Sequence, residues 1–274
     1  MRFTRLAATA TAAVLAIGLA GCAAPAAPET TTEGGTDSLG TLTVGALATP
    51  AGDILKFVQD NLAADAGLEI KFQEFTDYNT PNIALSDGSI DANLFQNATF
   101  LETYNTSTGS DLVSVGQAYL PSAAFYSDKI KDLKDLKDGA KIAIPNDPTN
   151  EGRALGMLAA EGLIEITDGA STLADITSNP SNFEFLEIEN ATLPQAVPDV
   201  DAAFVTISFA LPAGLTSSEA ILIEGDSSKY FNVLATRPEL EDDPRIAKLY
   251  ELLTSDEVAQ FELDTWGGLV VPVS

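Results

Sequence analysis

Histidine is absent from this chain of 274 residues, and cysteine occurs once, at Cys22. Without His there is no Ser-His-Asp or Cys-His catalysis, no imidazole base near neutral pH, and none of the commonest metal ligand. A single Cys excludes an intrachain disulfide and a thiolate metal cluster. Basic residues are scarce as well: 14 Lys and Arg stand against 40 Asp and Glu, a formal charge of −26. Such a charge repels phosphate backbones and anionic lipid, which argues against nucleic-acid binding and polybasic membrane attachment. The acidic residues are scattered rather than gathered in a tail, so they read as a solvated surface. Nucleophile elbow, P-loop and dinucleotide-binding glycine pattern are all missing, as is any repeat in the range of about 20 to 50 residues.

Hydrophobic residues make up 45% of the chain, enough for a buried core and, at this length, for one large domain or two modest lobes. The N-terminus is of a different kind. Arg2 and Arg5 precede an uncharged run from Leu6 to Ala20, too short for a transmembrane helix, which needs about 20 residues, and fitted to the positive and apolar regions of a secretory signal. Leu19-Ala20-Gly21-Cys22 follows, and resembles the lipobox of bacterial lipoproteins. That resemblance implies cleavage after a signal peptide of residues 1–21 and acylation of Cys22. Cleavage removes two of the 14 basic residues and no acidic one, so the mature charge becomes −28. Residues 22–40, mostly Ala, Pro, Thr, Glu and Gly with Leu39 the only large apolar residue, cannot bury a core and read as a flexible tether behind the lipidated Cys. The expected location is the outer face of the cytoplasmic membrane, facing the periplasm if an outer membrane exists.

Beyond the tether, β-prone and helical stretches alternate. Leu42–Leu47, Leu68–Phe75, Ala92–Gln96, Leu112–Leu120, Lys141–Pro145, Phe183–Glu189, Ala202–Thr206 and Tyr230–Thr236 read as strands. Ile54, Leu55, Val58 and Leu62 share one helical face, Pro81–Leu85 suggests a short helix, and Pro238–Trp266 is mostly helical. The alternation predicts an α/β architecture with mostly parallel, covered sheets. Lys131–Asp138, KDLKDLKD, reads as a solvated helical turn whose charges cancel.

The most informative segment is IPNDPTNEGRAL, Ile144 to Leu155. Thr149 or Asn150 can cap a helix whose N–H groups and positive dipole end face whatever sits above it, and Asp147 and Glu151 read as cap and helix-dipole residues. Arg153 adds a guanidinium fork suited to a carboxylate, from a ligand or from an Asp or Glu of so acidic a chain. A second group joins Phe75 to Asn82 with Asp91 to Asn97, where aromatics and amides at strand ends can form an apolar slot with polar anchors. There Tyr78 and Asn97, flanked by turn residues, are better candidates than Phe75 and Phe95, which read as core. A glycosidase-like carboxylate pair is the competing reading, and the sequence does not show which carboxylates stand at the required separation.

The lipobox, Asp77-Tyr78 with PNIAL at Pro81–Leu85, DANLFQ at Asp91–Gln96, Tyr126-Ser127, IPNDPTNEGRAL, LEIE at Leu186–Glu189 with Leu193-Pro194, YFNV at Tyr230–Val233 and the ending GGLVVP resemble the methionine-binding lipoproteins of the NlpA/MetQ type. The resemblance runs from about Leu42 to Ser274. It implies a two-lobed periplasmic-binding-protein fold, type II-like, with two interlobe crossings: 41–122 plus 236–274 in lobe 1 and 123–235 in lobe 2. It also implies a monomeric receptor, not an enzyme and without a cofactor or metal, that closes over a free amino acid and delivers it to an ABC permease and its ATPase. Arg153 would hold the α-carboxylate and Asn232 would help hold the amino acid, while Tyr78 and Phe95 line the side-chain pocket. The family usually has His where this chain has Asn97, and often Ile-Asn-x-Asn-Tyr-Ala where this chain reads Val205-Thr206-Ile207-Ser208-Phe209-Ala210. Asn97 and Thr206 are therefore expected ligand contacts of altered reach, and methionine is favoured over another small amino acid or a short peptide. A surface hydrolase and a structural lipoprotein rank lower.

Overall fold

The computed structural model describes residues 38–225 and 228–273; the expected signal peptide, Cys22 and nearly all of the tether lie outside them. The chain first builds strands β1 (Gly40–Leu47), β2 (Leu68–Phe75), β3 (Ala92–Asn97) and β4 (Val113–Pro121), with helices α1 (Asp53–Val58), α2 (Pro81–Ser86) and α3 (Ala98–Thr108) between them. It crosses at Ser122 into β5 (Ala123–Tyr126), β6 (Lys141–Pro145), α4 (Pro148–Ala160), the short strands β7 (Glu165–Ile166) and β8 (Ile176–Ser178), and β9 (Glu184–Ile188). Then follow α5 (Leu193–Ala196), β10 (Ala202–Thr206), α6 (Ile207–Ala210) and β11 (Ala220–Ile223). Past 224–231 the chain returns to β12 (Asn232–Thr236), α7 (Pro244–Leu253), α8 (Asp256–Trp266) and β13 (Val270–Pro272).

Two sheets result, one per lobe: β13-β4-β12-β3-β1-β2 and β11-β5-β10-β6-β9, beside the small pair β7-β8. The expectation of mostly parallel sheets is corrected, because both are mixed. β1 runs parallel to β2 and β3, and β6 parallel to β9 and β10. β12 is antiparallel to β3 and β4, β13 is antiparallel to β4, and β5 is antiparallel to β10 and β11. The double crossing is the cause. β4 leaves the first sheet beside β12, which enters it, and β5 enters the second sheet beside β11, which leaves it. Outgoing and incoming neighbours must then run in opposite directions. β12 also moves the expected lobe boundary: it is hydrogen-bonded between β3 and β4, so the return crossing precedes Asn232 rather than following residue 235.

Burial explains the strand positions. β2 alternates buried Leu68 and Ile70 with exposed Glu69 and Lys71, as an edge strand does, whereas all five residues of β12 are buried in the sheet interior. Ile54 and Leu55 of α1, Ile246 and Leu249 of α7 and Val258 of α8 cover one face of the first sheet, against Leu42, Val44, Leu94 and Leu234. Leu85 of α2 and Leu101 of α3 cover the other face with Val233 and Ala235. In the second lobe, Ala154, Leu155 and Leu158 of α4 pack on Phe125, Ile142, Ile144 and Phe204. A fourth cluster belongs to both lobes: Leu47, Tyr78 and Phe95 of the first join Ala124, Ala143, Leu193, Val205 and Phe209 of the second. The lobes thus share apolar contact at the place where buried polar side chains also gather.

Helix α3 has no counterpart among the sequence expectations. Its ATFLETYNTST is rich in Thr and buries only Leu101, a weak apolar stripe with poor helix formers. Its ends hold it: the side chain of Asn97 accepts from the N–H of Phe100, and Gly109 closes the helix at φ 73°, a left-handed conformation that favours glycine. The KDLKDLKD segment forms one tight turn at Leu133–Asp135, anchored by buried Leu133 with its charges in solvent.

Candidate ligand-binding cleft

From the first lobe, the cleft takes Tyr78 in the turn after β2, Phe95 to Asn97 at the end of β3, and Phe100 in the first turn of α3. Asn97, Asn232 and Tyr119 lie opposite one another across β3, β12 and β4. Asn232 Nδ2 donates to the Tyr119 hydroxyl at 2.9 Å, leaving its amide oxygen available as an acceptor. Burial pushes the Tyr119 hydroxyl pKa far up, so it stays neutral. Asn97 Oδ1 accepts from Phe100 N–H at 3.0 Å and is thereby occupied as the helix cap. Below it, Gln96 is locked with Asn82 and Asn93 in a buried amide network with bonds of 2.7 to 3.1 Å, which docks α2 on β3.

Tyr78, Phe95 and Phe100 form a three-ring wall with centroid separations of 5.8, 6.0 and 5.8 Å, in tilted and edge-on arrangements that aromatic quadrupoles favour. From the second lobe, Phe209 packs on Tyr78 at 4.8 Å, and the Thr206 hydroxyl is 3.0 Å from the Tyr78 hydroxyl. That hydrogen bond joins the lobes. Burial raises the Tyr78 pKa, against the opposing effect of the Thr206 bond, so the phenol remains a neutral donor or acceptor.

Arg153 projects from α4. The cap of this helix is Asp147, one of the residues read as a cap from the sequence, whose Oδ1 accepts from Asn150 N–H at 2.9 Å; Thr149 and Asn150, the other candidates, lie inside the helix. Pro148 is the reason: its fixed φ suits the first helical position, which places the cap one residue earlier. Asp147 also accepts from Asn190 at 2.7 Å. Gly152 allows the helix to sit close to its neighbour, since a Cβ there would lie 2.3 Å from the carbonyl oxygen of Ala170. Glu151 turns away from the cleft and accepts from Leu173 N–H at 2.6 Å; burial lifts its pKa to about 7.

The guanidinium of Arg153 is buried with its side chain only 3% exposed. Nε donates to Glu224 Oε1 at 2.9 Å, Nη2 to Glu224 Oε2 and to the Pro121 carbonyl at 2.8 Å, and the Tyr230 ring covers it 4.8 Å from Cζ. Arg153 is thus paired with an acidic residue of the protein, one of the two readings of its fork, and it also borders the cleft.

All six residues singled out from the sequence, Tyr78, Phe95, Asn97, Arg153, Thr206 and Asn232, line this one cavity, with Gln96, Phe100, Pro121 and Asn150. The cavity measures about 20 Å³, the room of about one water. A wider groove of about 500 Å³ runs between α3 and α4 past Thr103, Thr149 and Tyr230, but contains none of the six. Phe100, Glu224 and Tyr230 were missed as site residues. The YFNV motif pointed at Tyr230 without a role, Phe100 lay in an unread helix, and Glu224 is one acid among 40 with no local signal. Among the described residues no group of His, Cys, Asp and Glu is arranged to hold a metal ion.

Comparison with known proteins supplies relatives. The family model described as NlpA lipoprotein matches residues 42–274. The chain is similar to the D-methionine-binding lipoprotein MetQ of Salmonella typhi, at 41% identity over 198 residues, 70% of this chain and 73% of that protein. Among solved structures it resembles a nutrient binding protein from Burkholderia cenocepacia bound to methionine, with TM-score 0.82 and 38% identity over 85% of this chain and 100% of the other. It also resembles an ABC transporter periplasmic substrate-binding protein from Coxiella burnetii, with TM-score 0.81 and 38% identity over 85% and 100%.

Proposed function

The chain belongs to the NlpA lipoprotein family, and we propose that it is a lipid-anchored extracytoplasmic receptor that captures a free amino acid, methionine by preference, for an ABC importer. The observation that carries this reading is the convergence of Arg153, Asn232 and the Tyr78-Phe95-Phe100 wall on one interlobe cleft. In it Arg153 receives the α-carboxylate, the Asn232 amide oxygen accepts from the ammonium group, and the three rings bury the side chain. A thioether suits such a wall, because sulfur–aromatic contacts are favourable and burying a Met side chain contributes about 1.5 to 3 kcal/mol. The enclosed space of about 20 Å³ is far below the about 300 Å³ at which ligand pockets begin. The lobes must therefore part to admit a ligand, and the crossing at Ser122 is a place for that hinge.

A second reading, another small amino acid or a short peptide, draws on Asn97 and Thr206. Both side chains are engaged within the protein, one as a helix cap and the other with Tyr78, and reach less far than the residues the family usually places there. Titration calorimetry of the chain from about Ser38 onward, stripped of carried ligand by unfolding and refolding, separates the readings. Saturable binding of L- or D-methionine at micromolar affinity or tighter, about −8 kcal/mol, supports the first. A folded sample that ignores methionine and binds another amino acid supports the second. Attachment through Cys22 is tested by labelling with a radioactive fatty acid, which a Cys22→Ala chain would not incorporate.

A further inference from the structure

We propose that Glu224 is a positioning residue for the ligand carboxylate: from outside the cleft it holds Arg153 by the Nε and Nη2 edge, so that a ligand meets the Nη1 end. This rests on the amino-acid reading of the cleft. Glu224 is absent from the cleft lining and borders a separate groove of about 440 Å³ on the far side of Arg153, beside Met157 and Ser228. It acts only through the guanidinium. Its two oxygens accept from Nε and Nη2, the two-bond fork that fixes a guanidinium plane, and the Pro121 carbonyl takes the remaining Nη2 hydrogen. The Nη1 hydrogens have no partner among the described residues. A ligand carboxylate is thus received end-on at Nη1 and not in the side-on fork.

Two consequences follow from where these groups sit. Pro121 ends β4 at the first crossing, while Glu224 and Tyr230 lie on the second, so both interlobe connections hold the same cation. Movement of the lobes then moves the anion-binding end of the site. Charge is the other consequence. A buried, unpaired Arg is strongly unfavourable in a closed protein, and Glu224 neutralises it before a ligand arrives. A zwitterion, itself neutral, leaves the cleft neutral, whereas a ligand with a second carboxylate adds uncompensated charge. The arrangement favours amino acids with uncharged side chains.

The test is calorimetry of wild type and Glu224→Gln with L-methionine and with L-methioninamide, which lacks the carboxylate. Expected is a loss of about tenfold to a hundredfold in methionine affinity; the amide, a cation beside an Arg153 left without its counter-charge, should weaken as well. Equal or tighter methionine binding by Glu224→Gln overturns the proposal; tighter methionine binding beside weaker amide binding would make Glu224 a competitor of the ligand. A second readout needs no ligand. The Nε–H resonance of Arg153 should be protected from solvent exchange in wild type and lose that protection in Glu224→Gln, and persisting protection also overturns the proposal. A wild type that binds no amino acid yet shows the Nε–H change fails the amino-acid reading and leaves the positioning intact.

Discussion

Arg153 illustrates how much a single side chain depends on its setting. In the second turn of α4 Arg153 is a buried cation, and a carboxylate, a carbonyl and an aromatic face compensate it. Arg153→Ala should abolish measurable methionine binding in calorimetry, with a loss of about 3 to 5 kcal/mol. It should also lower the unfolding midpoint, because Glu224 would remain buried without its partner. Glu224→Gln combined with Arg153→Ala should recover part of that stability and none of the binding. The Tyr78–Thr206 contact makes a second residue-scale prediction. Thr206→Val keeps the shape and removes the hydroxyl, which should cost about 1 kcal/mol. In a double-mutant cycle with Tyr78→Phe, measured as ligand dissociation rate, the two changes should be less than additive. Full additivity would show that the two hydroxyls do not meet in solution.

At the scale of elements, α4 and α8 carry opposite lessons. The close approach of α4 to Ala170 depends on Gly152, so Gly152→Ala should displace the helix, lower stability by about 1 to 3 kcal/mol, and weaken binding through Arg153. Circular dichroism melting and calorimetry on one sample measure both. Helix α8 holds Glu262 at 1% exposure with Oε2 unpartnered, and burial raises its pKa to about 8 from 4.5 in the unfolded chain. A carboxyl with a raised pKa keeps its proton when folded, so its stabilising effect is complete below pH 4.5 and is lost as pH rises through about 8. Across that window unfolding should become easier by about 1.4 kcal/mol per pH unit from this group, with Glu151, raised to about 7, adding to the lower part. Glu262→Met should flatten the decline between pH 7 and 8 in denaturant titrations. An unchanged slope would mean that Glu262 is hydrated in solution.

For the molecule as a whole, the apolar cluster shared by the lobes and the Tyr78–Thr206 bond hold the cleft closed around its polar residues. A ligand that binds only the folded, closed form should raise unfolding stability by about 2.7 kcal/mol at a hundred times its Kd. Methionine should therefore shift the thermal midpoint of wild type and leave Arg153→Ala unmoved. The exposed acidic residues have no part in this shift, so the shift should persist in high salt, which screens exposed charges.

The chain's own order of residues determined the local facts. The absence of His and the single Cys set aside whole chemistries; strands such as Leu68–Phe75 and Lys141–Pro145 were legible from β-prone runs between turn residues; and IPNDPTNEGRAL announced a strand, a turn and a helix start. Of the six cleft residues, Tyr78, Asn97 and Arg153 were legible from turn residues and a helix start, whereas Phe95, which reads as core by itself, Thr206 and Asn232 were singled out by the family resemblance. What only the tertiary structure decided are relations across long sequence separation. Glu224 meets Arg153 from 71 residues away, and Thr206 meets Tyr78 across 128. The sense of β5, β11 and β12 follows from two crossings, and α3 stands on its caps more than on its composition. A local pattern encodes propensity and periodicity, but which carboxylate of 40 neutralises one buried cation depends on how two sheets are folded against each other, and no local pattern carries that information.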